Sequence, residues 1–343
     1  MGKVKLVVDT DGVADDVRAI TIAVNHPDVE VLAITTVHGC VSVEQATANV
    51  ARCLRASGVS KPIYKGAMEP IVGRKSNILS ENVLFGKDGL GDRPKEFPEV
   101  LKSDFVPTSD EIAATALIRI SREHPDATLV CLGPLTNVAL ALKLDPNFKF
   151  AKVFVMGGNY YGIGNVVDMP TVEFNFHGDP DAASVVLRKL ADRLTIIPWD
   201  LIFLEGSEHE KQVDMDAHLK HDTKVASFVK TATRAPREAL GKVGRKYTYC
   251  DEIAMCSAID LKRVARKINY FRVDVELTGS YTRGQVVVDW LDVLWTKDEA
   301  GFVAAQGKDQ VGKLPFVKFV ASCNATVVDT WMNNAVLQKP GPW

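Results

Sequence analysis

Residues 4–16 read VKLVVDTDGVADD, an apolar run followed by the four carboxylates Asp9, Asp11, Asp15 and Asp16. The run predicts a buried strand, and the small residues after it allow a tight turn into a helix. In open α/β sheets, ligands bind at the carboxyl ends of such strands. Four like charges in one turn repel each other, so we expect a compensating Ca²⁺ or Mg²⁺ ion. A solvated acidic turn that caps a helix is the alternative interpretation.

The rest of the chain alternates apolar β-type runs with helical patterns. This order predicts an α/β fold with an open, mostly parallel sheet flanked by helices. The predicted strands are Val4–Val8, Val29–Thr36, Thr128–Cys131, Lys152–Met156 and Leu194–Ile197. The predicted helices are Asp15–Asn25, Val43–Ser57, Asp110–His124, Asn137–Leu144 and Pro180–Leu190.

Three further segments depart from this alternation. Residues 64–108 are irregular and rich in Gly, Pro and charge, which is typical of a long functional loop. Residues 206–247 are strongly charged, with helix expected around 222–240, and predict a solvated helical lid region. A β-rich C-terminal part follows, with strands at Tyr270–Leu277, Gln285–Val293 and Leu314–Val320 and a final helix at Asn324–Val336. No linker separates these parts, so we predict a single domain over residues 1–343.

Composition excludes several classes of protein. The 343 residues are 46% hydrophobic, enough for a large core, and the formal charge of −2 gives no reason to expect nucleic acid or an anionic membrane as a partner. No apolar stretch is long enough to span a bilayer. The N-terminus runs directly into the first strand, so we expect no signal peptide. Six cysteines without paired spacing favour a reduced, cytoplasmic protein.

Two more segments carry polar groups at the ends of predicted strands. Residues 131–137, CLGPLTN, place backbone carbonyls near a possible metal, although an ordinary turn capped by Thr136 is the simpler interpretation. Residues 154–180 contain two consecutive glycines, which allow close approach of a ligand to the backbone. Their polar side chains suit several sugar hydroxyls, or else belong to a polar loop: Asn159, Asn165, Glu173 and Asn175.

These motifs together resemble the inosine–uridine preferring nucleoside hydrolase family, from Val4 to about Ala335. DTDGVADD matches the family's DxDxxxDD signature, and further matches are TTVHG at 35–39, KDGLG at 87–91, GPLTN at 133–137, MGG at 156–158, GN at 164–165, EFNFHGDPDAA at 173–183 and CDEIA at 250–254. The resemblance implies a Ca²⁺-dependent N-ribohydrolase that converts a nucleoside and water to ribose and base. It also implies a role in nucleoside catabolism or purine salvage, and a homodimer or homotetramer.

The resemblance assigns roles to the residues of the matching motifs. Asp11 would contact the metal and activate the water, while Asp9 would orient the cluster. The implied metal ligands are Asp11, Asp16, Asp251 and the backbone carbonyl of Leu132. The implied substrate contacts are Asp15, Cys40, Met156, Asn165, Glu173 and Asn175.

Three positions depart from the family pattern. Cys40 stands where a ribose-contacting Asn is common, and Phe85 stands where a His often precedes the GxDGL motif. Cys250 replaces a His that serves near the leaving base, so it is either a weak acid or part of the pocket wall. The preferred base stays open, with Trp199 either stacking on the base or packing in the core.

Two other functions begin from the same residues. A haloacid-dehalogenase-type phosphatase would use Asp9 as phosphoryl acceptor and bind Mg²⁺, but it leaves Asp15 and Asp16 unexplained. A nucleoside- or ribose-binding protein that lost turnover through Cys40 and Cys250 is a non-enzymatic alternative.

Overall fold

The computed structural model of the protein describes residues 2–72, 84–290 and 316–343. Its strands are β1 Val4–Thr10, β2 Val29–Thr36, β3 Ile63–Lys65, β4 Thr128–Cys131, β5 Lys152–Met156, β6 Leu194–Ile197, β7 Ala265–Phe271, β8 Val273–Val275, β9 Val286–Val288 and β10 Val317–Cys323. Its helices are α1 Ala14–Asn25, α2 Val43–Ser57, α3 Ala113–Glu123, α4 Thr136–Leu144, α5 Phe174–Gly178, α6 Pro180–Leu190, α7 Trp199–Gln212, α8 Lys224–Ala232, α9 Arg234–Gly241, α10 Asp251–Val264 and α11 Ala325–Val336.

Eight strands form one sheet in the order β3-β2-β1-β4-β5-β6-β10-β7. The paired strands run parallel except for β7, which is antiparallel to β10. Leu6 and Val8 of β1 pack in one apolar cluster, whereas Val7 packs in the cluster on the other face. Strands buried on both faces are continuous apolar runs, as the sequence shows. The predicted fold class is confirmed.

The turn from β1 into α1 depends on one glycine. Gly12 has φ +68°, and a Cβ atom there would lie 2.7 Å from the carbonyl oxygen of Ala46 in α2. A side chain at this position is therefore excluded by both conformation and space. The tight turn brings the acidic first turn of α1 to the carboxyl end of β1.

Some local predictions were wrong. The three-residue strand β3, Ile63–Lys65, was not predicted and extends into the segment expected to be a loop, since a strand of this length carries no readable alternation. Thr136 is the first residue of α4 and does not cap it; its hydroxyl donates to Asp179 Oδ2 at 2.8 Å. Strand β7 begins at Ala265, earlier than expected, since this edge strand is largely exposed.

The predicted lid region, residues 206–247, contains the end of α7, a 3₁₀ helix at Ala217–Lys220, α8 and α9. Its helical character is confirmed, but it is not simply a solvated excursion. Helix α8 buries five side chains, all of them apolar and packed in the main core cluster; the buried residues are Val225, Ala226, Phe228, Val229 and Ala232. Mobility of this region stays a prediction.

The C-terminal part contributes to two sheets. Strands β8 and β9 pair as a separate antiparallel ribbon, while β10 joins the main sheet. The ends of two predicted strands, residues 291–293 and 314–315, lie outside the described residues. Among the helices of the described ranges, none combines the length and apolarity needed to cross a bilayer.

Candidate active site

Carboxylates from three parts of the chain meet at the carboxyl edge of the sheet. Asp9 is the penultimate residue of the apolar strand β1, and Asp251 is the first residue of α10. Ligand atoms of Asp15, Cys250 and Asp251 all lie within 4.8 Å of one another. Asp11 and Asp16 also share a side-chain hydrogen bond. Residues that are about 235 positions apart in sequence are therefore brought into one acidic cluster.

Asp9 is fully buried beneath this cluster. Its Oδ1 accepts hydrogen bonds from Thr35 Oγ1 at 2.6 Å and Asn137 Nδ2 at 2.8 Å. Burial raises its pKa to about 6, although both donors act in the opposite direction. Its Oδ2 has no hydrogen-bond partner among the described residues. This geometry suits an orienting role, since one oxygen is fixed and the other is unused.

Asp11 is held by the loop that follows β2. Its Oδ2 accepts the backbone N–H of Cys40 at 2.7 Å. A Cβ atom on Gly39 would lie 2.1 Å from that same oxygen, so only glycine fits beside the carboxylate. Burial raises the pKa of Asp11 to about 6, and the Cys40 N–H partly counteracts this effect.

The acidic cluster concentrates buried carboxylates, and the charge of Arg18, which is paired with Glu252, offsets their mutual repulsion only in part. Asp16 accepts from the Thr10 hydroxyl and from the Val13 N–H, and burial followed by the charge of Asp11 raises its pKa well above its usual value. Burial and the charge of Asp16 likewise raise the pKa of Asp15 to about 8. The pKa of Asp251 is raised well above normal by the same causes. Asp15 Oδ1 lacks a hydrogen-bond partner in the described part of the chain.

A buried ion pair lies next to the cluster on the same two helices. Arg18 Nε of α1 donates to Glu252 Oε1 of α10, and Arg18 Nη2 donates to the Thr248 carbonyl at 3.0 Å. Glu252 Oε2 accepts the backbone N–H of Cys250 at 2.9 Å. The guanidinium carbon lies 4.4 Å from the centre of the Tyr247 ring. These contacts fix the segment before α10 against α1.

The predicted sugar-binding groups gather at the end of β5. Glu173 caps α5 and accepts backbone N–H groups from Gly158 at 2.7 Å, Asn175 at 2.8 Å and Phe176 at 3.1 Å. Its burial raises the pKa to about 7, even with these donors. The carboxylate is therefore held in one orientation by the backbone.

Asn175 connects the end of β5 to the residue that follows β4. Its Nδ2 donates to the carbonyl of Leu132 at 2.9 Å and to the carbonyl of Met156 at 3.1 Å. Asn165 is exposed, unlike the other predicted contacts, and its Oδ1 accepts the Phe174 N–H at 2.8 Å. The amide is thereby positioned next to Glu173.

An apolar wall borders the cluster on the side of Cys40. It consists of Val13, Ala14, Val41, Ala46, Phe85 and Tyr247, with Cys40, Leu84 and Leu240 packed against it. Burial, followed by the neighbouring carboxylates, raises the pKa of both Cys40 and Cys250 well above the ordinary thiol value, so both thiols stay protonated. Trp199 packs against the main core cluster and is only partly buried.

Several residues of the site gave no recognisable signal in the sequence. Asn49, in the middle of α2, donates from Nδ2 to the carbonyls of Gly12 at 2.9 Å and Asp88 at 2.8 Å. Arg18 and Glu252 are separated by 234 positions, and neither belongs to a motif that predicts their contact. Asn137 was within the recognised GPLTN turn, so its place in the site could have been anticipated.

Comparison with known proteins identifies the family. The family model described as inosine-uridine preferring nucleoside hydrolase matches residues 6–313. The chain belongs to this family. The Leishmania major protein named inosine-uridine preferring nucleoside hydrolase is 31% identical over 300 residues, covering 83% of this chain and 88% of that protein. The Arabidopsis thaliana protein named uridine nucleosidase 1 is 38% identical over 197 residues, covering 56% of this chain and 55% of that protein.

Matches to several of the curated nucleosidase relatives thus span only about half of their length. A solved structure, an inosine-guanosine nucleoside hydrolase, is 27% identical with a TM-score of 0.81 and covers 97% of this chain and 98% of that chain. The nucleoside hydrolase fold therefore extends over nearly the whole chain. A plant nucleoside hydrolase, with a TM-score of 0.78 at 24% identity, supports the same fold.

Proposed function

We propose that this protein is a Ca²⁺-dependent N-ribohydrolase that cleaves the N-glycosidic bond of purine or pyrimidine ribonucleosides. The observation that carries the proposal is the acidic cluster in a nucleoside hydrolase fold. Apart from the hydrogen bond that they share, Asp11 and Asp16 accept hydrogen bonds from backbone N–H groups and a hydroxyl of the described residues, and from no cationic side chain. A buried group of carboxylates without a counter-charge needs a cation.

The donor set fits a hard divalent ion. Carboxylates of Asp11, Asp16 and Asp251, with the Leu132 carbonyl, supply the oxygen ligands that Ca²⁺ prefers. When bound, such an ion lowers the pKa of a coordinated water and contacts hydroxyl groups of the substrate. The raised pKa values of the carboxylates and the partnerless Oδ1 of Asp15 support this assignment.

Asp11 is the proposed general base. The Cys40 N–H donates to its Oδ2. Because Gly39 has no side chain, the loop can approach this oxygen closely. A carboxylate with a pKa of about 6 is ionised at neutral pH and is a stronger base than an ordinary Asp. It can therefore accept a proton from water as the glycosidic bond breaks through an oxocarbenium-like state.

Ribose is expected between the acidic cluster and the end of β5. Asp15, Asn165, Glu173 and Asn175 would contact its hydroxyls, and Met156 would line the pocket. The three N–H groups on Glu173 hold its carboxylate in place before substrate arrives, which reduces the entropy cost of binding. The base would then face Cys40, Cys250 and the apolar wall.

The proposal extends to the nucleobase that leaves and to which bases the protein prefers. The names of the relatives include uridine and inosine, and both are candidate substrates. Cys250 is proposed to contact the base, either as a weak proton donor or as part of the wall. We further predict a cytoplasmic, homodimeric or homotetrameric protein of nucleoside catabolism whose 343 residues form one domain.

The test is a panel of common nucleosides assayed for release of base and reducing sugar, with and without a chelator. We expect hydrolysis that the chelator abolishes and Ca²⁺ restores, and Asp251→Asn should lose tight Ca²⁺ binding. Binding of nucleoside without turnover would favour the non-enzymatic alternative. Release of phosphate from p-nitrophenyl phosphate, with no base released from any nucleoside, would favour a phosphatase.

A further inference from the structure

A second group of metal-ligating side chains lies outside the acidic cluster. Glu205 and His209 are one turn apart on α7, and Cys323 is the last residue of β10. Their ligand atoms all lie within 4.8 Å of one another. His209 Nε2 is 3.2 Å from Glu205 Oε2 and 3.6 Å from Cys323 Sγ. In the sheet, β10 is separated from β1 by β4, β5 and β6, so this group is distinct from the proposed active site.

We propose that Glu205, His209 and Cys323 form a Zn²⁺ site that is independent of the proposed hydrolase chemistry. The spacing of the ligands supports this assignment. Tetrahedral zinc with ordinary bond lengths separates a nitrogen from a sulfur ligand by about 3.5 Å and from an oxygen ligand by about 3.4 Å. The observed separations, 3.6 Å and 3.2 Å, are close to both values. An ion can enter with only small side-chain movements.

The chemistry of the ligands selects zinc over the cation of the acidic cluster. Thiolate and imidazole are ligands for Zn²⁺, whereas Ca²⁺ and Mg²⁺ prefer oxygen. The i, i+4 spacing on one helix is a common way to present two ligands to one ion. The two sites therefore differ in the metal they accept, and both can be filled in the same molecule.

Burial and neighbouring contacts also fit a metal site. Cys323 and His209 are 0% and 2% exposed, whereas the Glu205 side chain is 28% exposed and opens the site to solvent. This leaves room for a water as the fourth ligand. The backbone N–H of Cys323 donates to Glu205 Oε2 at 3.2 Å and orients the carboxylate, as outer contacts do in metal proteins.

Metal binding here should displace the thiol proton of Cys323. Zinc binds the thiolate, so one proton is released for each ion bound and affinity increases with pH. A bound ion would join α7 to the end of β10, and it would stabilise the folded protein by mass action.

The experiment measures Zn²⁺ and Co²⁺ binding to chelator-treated, full-length protein in saturating Ca²⁺, which occupies the acidic cluster. Calorimetry should give one Zn²⁺ per chain, with proton release. Cobalt should give a thiolate charge-transfer band in the near ultraviolet. Cys323→Ser should remove this band. Both Cys323→Ser and His209→Gln should weaken Zn²⁺ binding by at least about tenfold, because the loss of a contact outside the ligand shell already weakens metal binding by that factor.

The control is Cys250→Ser, since Cys250 belongs to the other group of ligand atoms. This variant should keep both the cobalt band and the zinc affinity. Glu205→Gln changes a partly exposed residue and is expected to fold, to bind Zn²⁺ at least about tenfold more weakly and to keep the thiolate band.

Three results would overturn the zinc site. The first is an absence of Zn²⁺ binding in the presence of Ca²⁺. Glu205, His209 and Cys323 would then form a hydrogen-bonded group without a metal. The second is a cobalt band that disappears in Cys250→Ser and persists in Cys323→Ser. The third is unchanged zinc affinity in Glu205→Gln and His209→Gln. None of these results bears on nucleoside hydrolysis, so the two proposals are tested separately.

Discussion

Helices α1 and α10 carry two groups of buried charged side chains that are only one turn apart. One group pairs opposite charges, and the other brings like charges together. Arg18 and Glu252 form an ion pair in which Arg18 Nη2 and Glu252 Oε2 also have backbone partners. Asp15, Asp16 and Asp251 repel one another, and their pKa values are raised. A buried charge that has a partner is tolerated and becomes costly only when that partner is removed, whereas buried charges of one sign reduce stability and need a ligand. The contrast separates the structural group from the functional one.

Breaking the ion pair should have the largest effect. Arg18→Met leaves Glu252 as a buried charge without its partner and removes the donor to Thr248, which should cost about 3–5 kcal/mol in the free energy of unfolding. Urea denaturation measures this cost. The control is Arg55→Met, which breaks a pair at the surface with Asp104 and should cost far less. Equal losses in the two variants would contradict a special role for the buried pair.

Removing one charge from the acidic cluster should affect turnover more than folding. Asp11→Asn keeps the shape of the side chain but removes the proton acceptor, so kcat should fall by at least roughly 10²-fold. Stability of the cation-free protein should stay the same or rise, because one repelling charge is lost. Steady-state kinetics and thermal melts measure the two effects, with the exposed Asp126→Asn as the control. An unchanged kcat would exclude Asp11 as the essential base.

The stability of the cation-free protein should depend on pH. Because the folded pKa of Asp15, about 8, lies above its unfolded value of 3.8, ionisation of Asp15 opposes folding. This penalty is absent below about pH 4, grows as the pH rises, and is complete above about pH 8. Ca²⁺ should therefore raise the melting temperature more at pH 8 than at pH 6. A larger shift at pH 6 would contradict the assignment of the cluster as the cation site.

The smallest effect is expected at Cys250. Burial keeps its thiol protonated, but a thiol is a weak hydrogen-bond donor. Cys250→Ala should therefore slow hydrolysis of inosine or uridine and of p-nitrophenyl riboside by similar factors, each below about tenfold. The p-nitrophenyl group needs no proton to leave. A strong loss on the natural nucleosides alone would show that Cys250 is an acid.

The sequence was sufficient to predict the central strands of the parallel sheet, but not its edge strand β3. The bounds of β2, β4, β5 and β6 agree with the structure because strands buried on both faces are uninterrupted apolar runs. The four carboxylates between Asp9 and Asp16 were recognisable as a group from the sequence, whereas Asp251 was joined to them only by the resemblance to the family. Roles within the cluster stay predictions.

Other features could not be read from local patterns. Helix α7 begins at Trp199, but no helix was predicted there. The charged residues in its second half were assigned instead to the predicted lid region, which starts at residue 206. The contact between Arg18 and Glu252 joins two helices that are far apart in sequence, so its existence depends on the tertiary fold. Strand β3 is short and lies at the edge, where pairing with β2 rather than hydrophobicity defines it.

Asn137 has a consequence for how the state of the site can be observed. Its Nδ2 donates to Asp9 Oδ1 and to the Thr36 carbonyl, while its Oδ1 accepts the N–H of Ala67 beyond β3. The side-chain amide of Asn137 thus links the Asp9 carboxylate to a backbone N–H near the sheet edge. The rate at which the Ala67 amide exchanges its hydrogen for deuterium should therefore fall when a cation orders the cluster. A backbone amide with no catalytic role would then serve as a reporter of the occupied site.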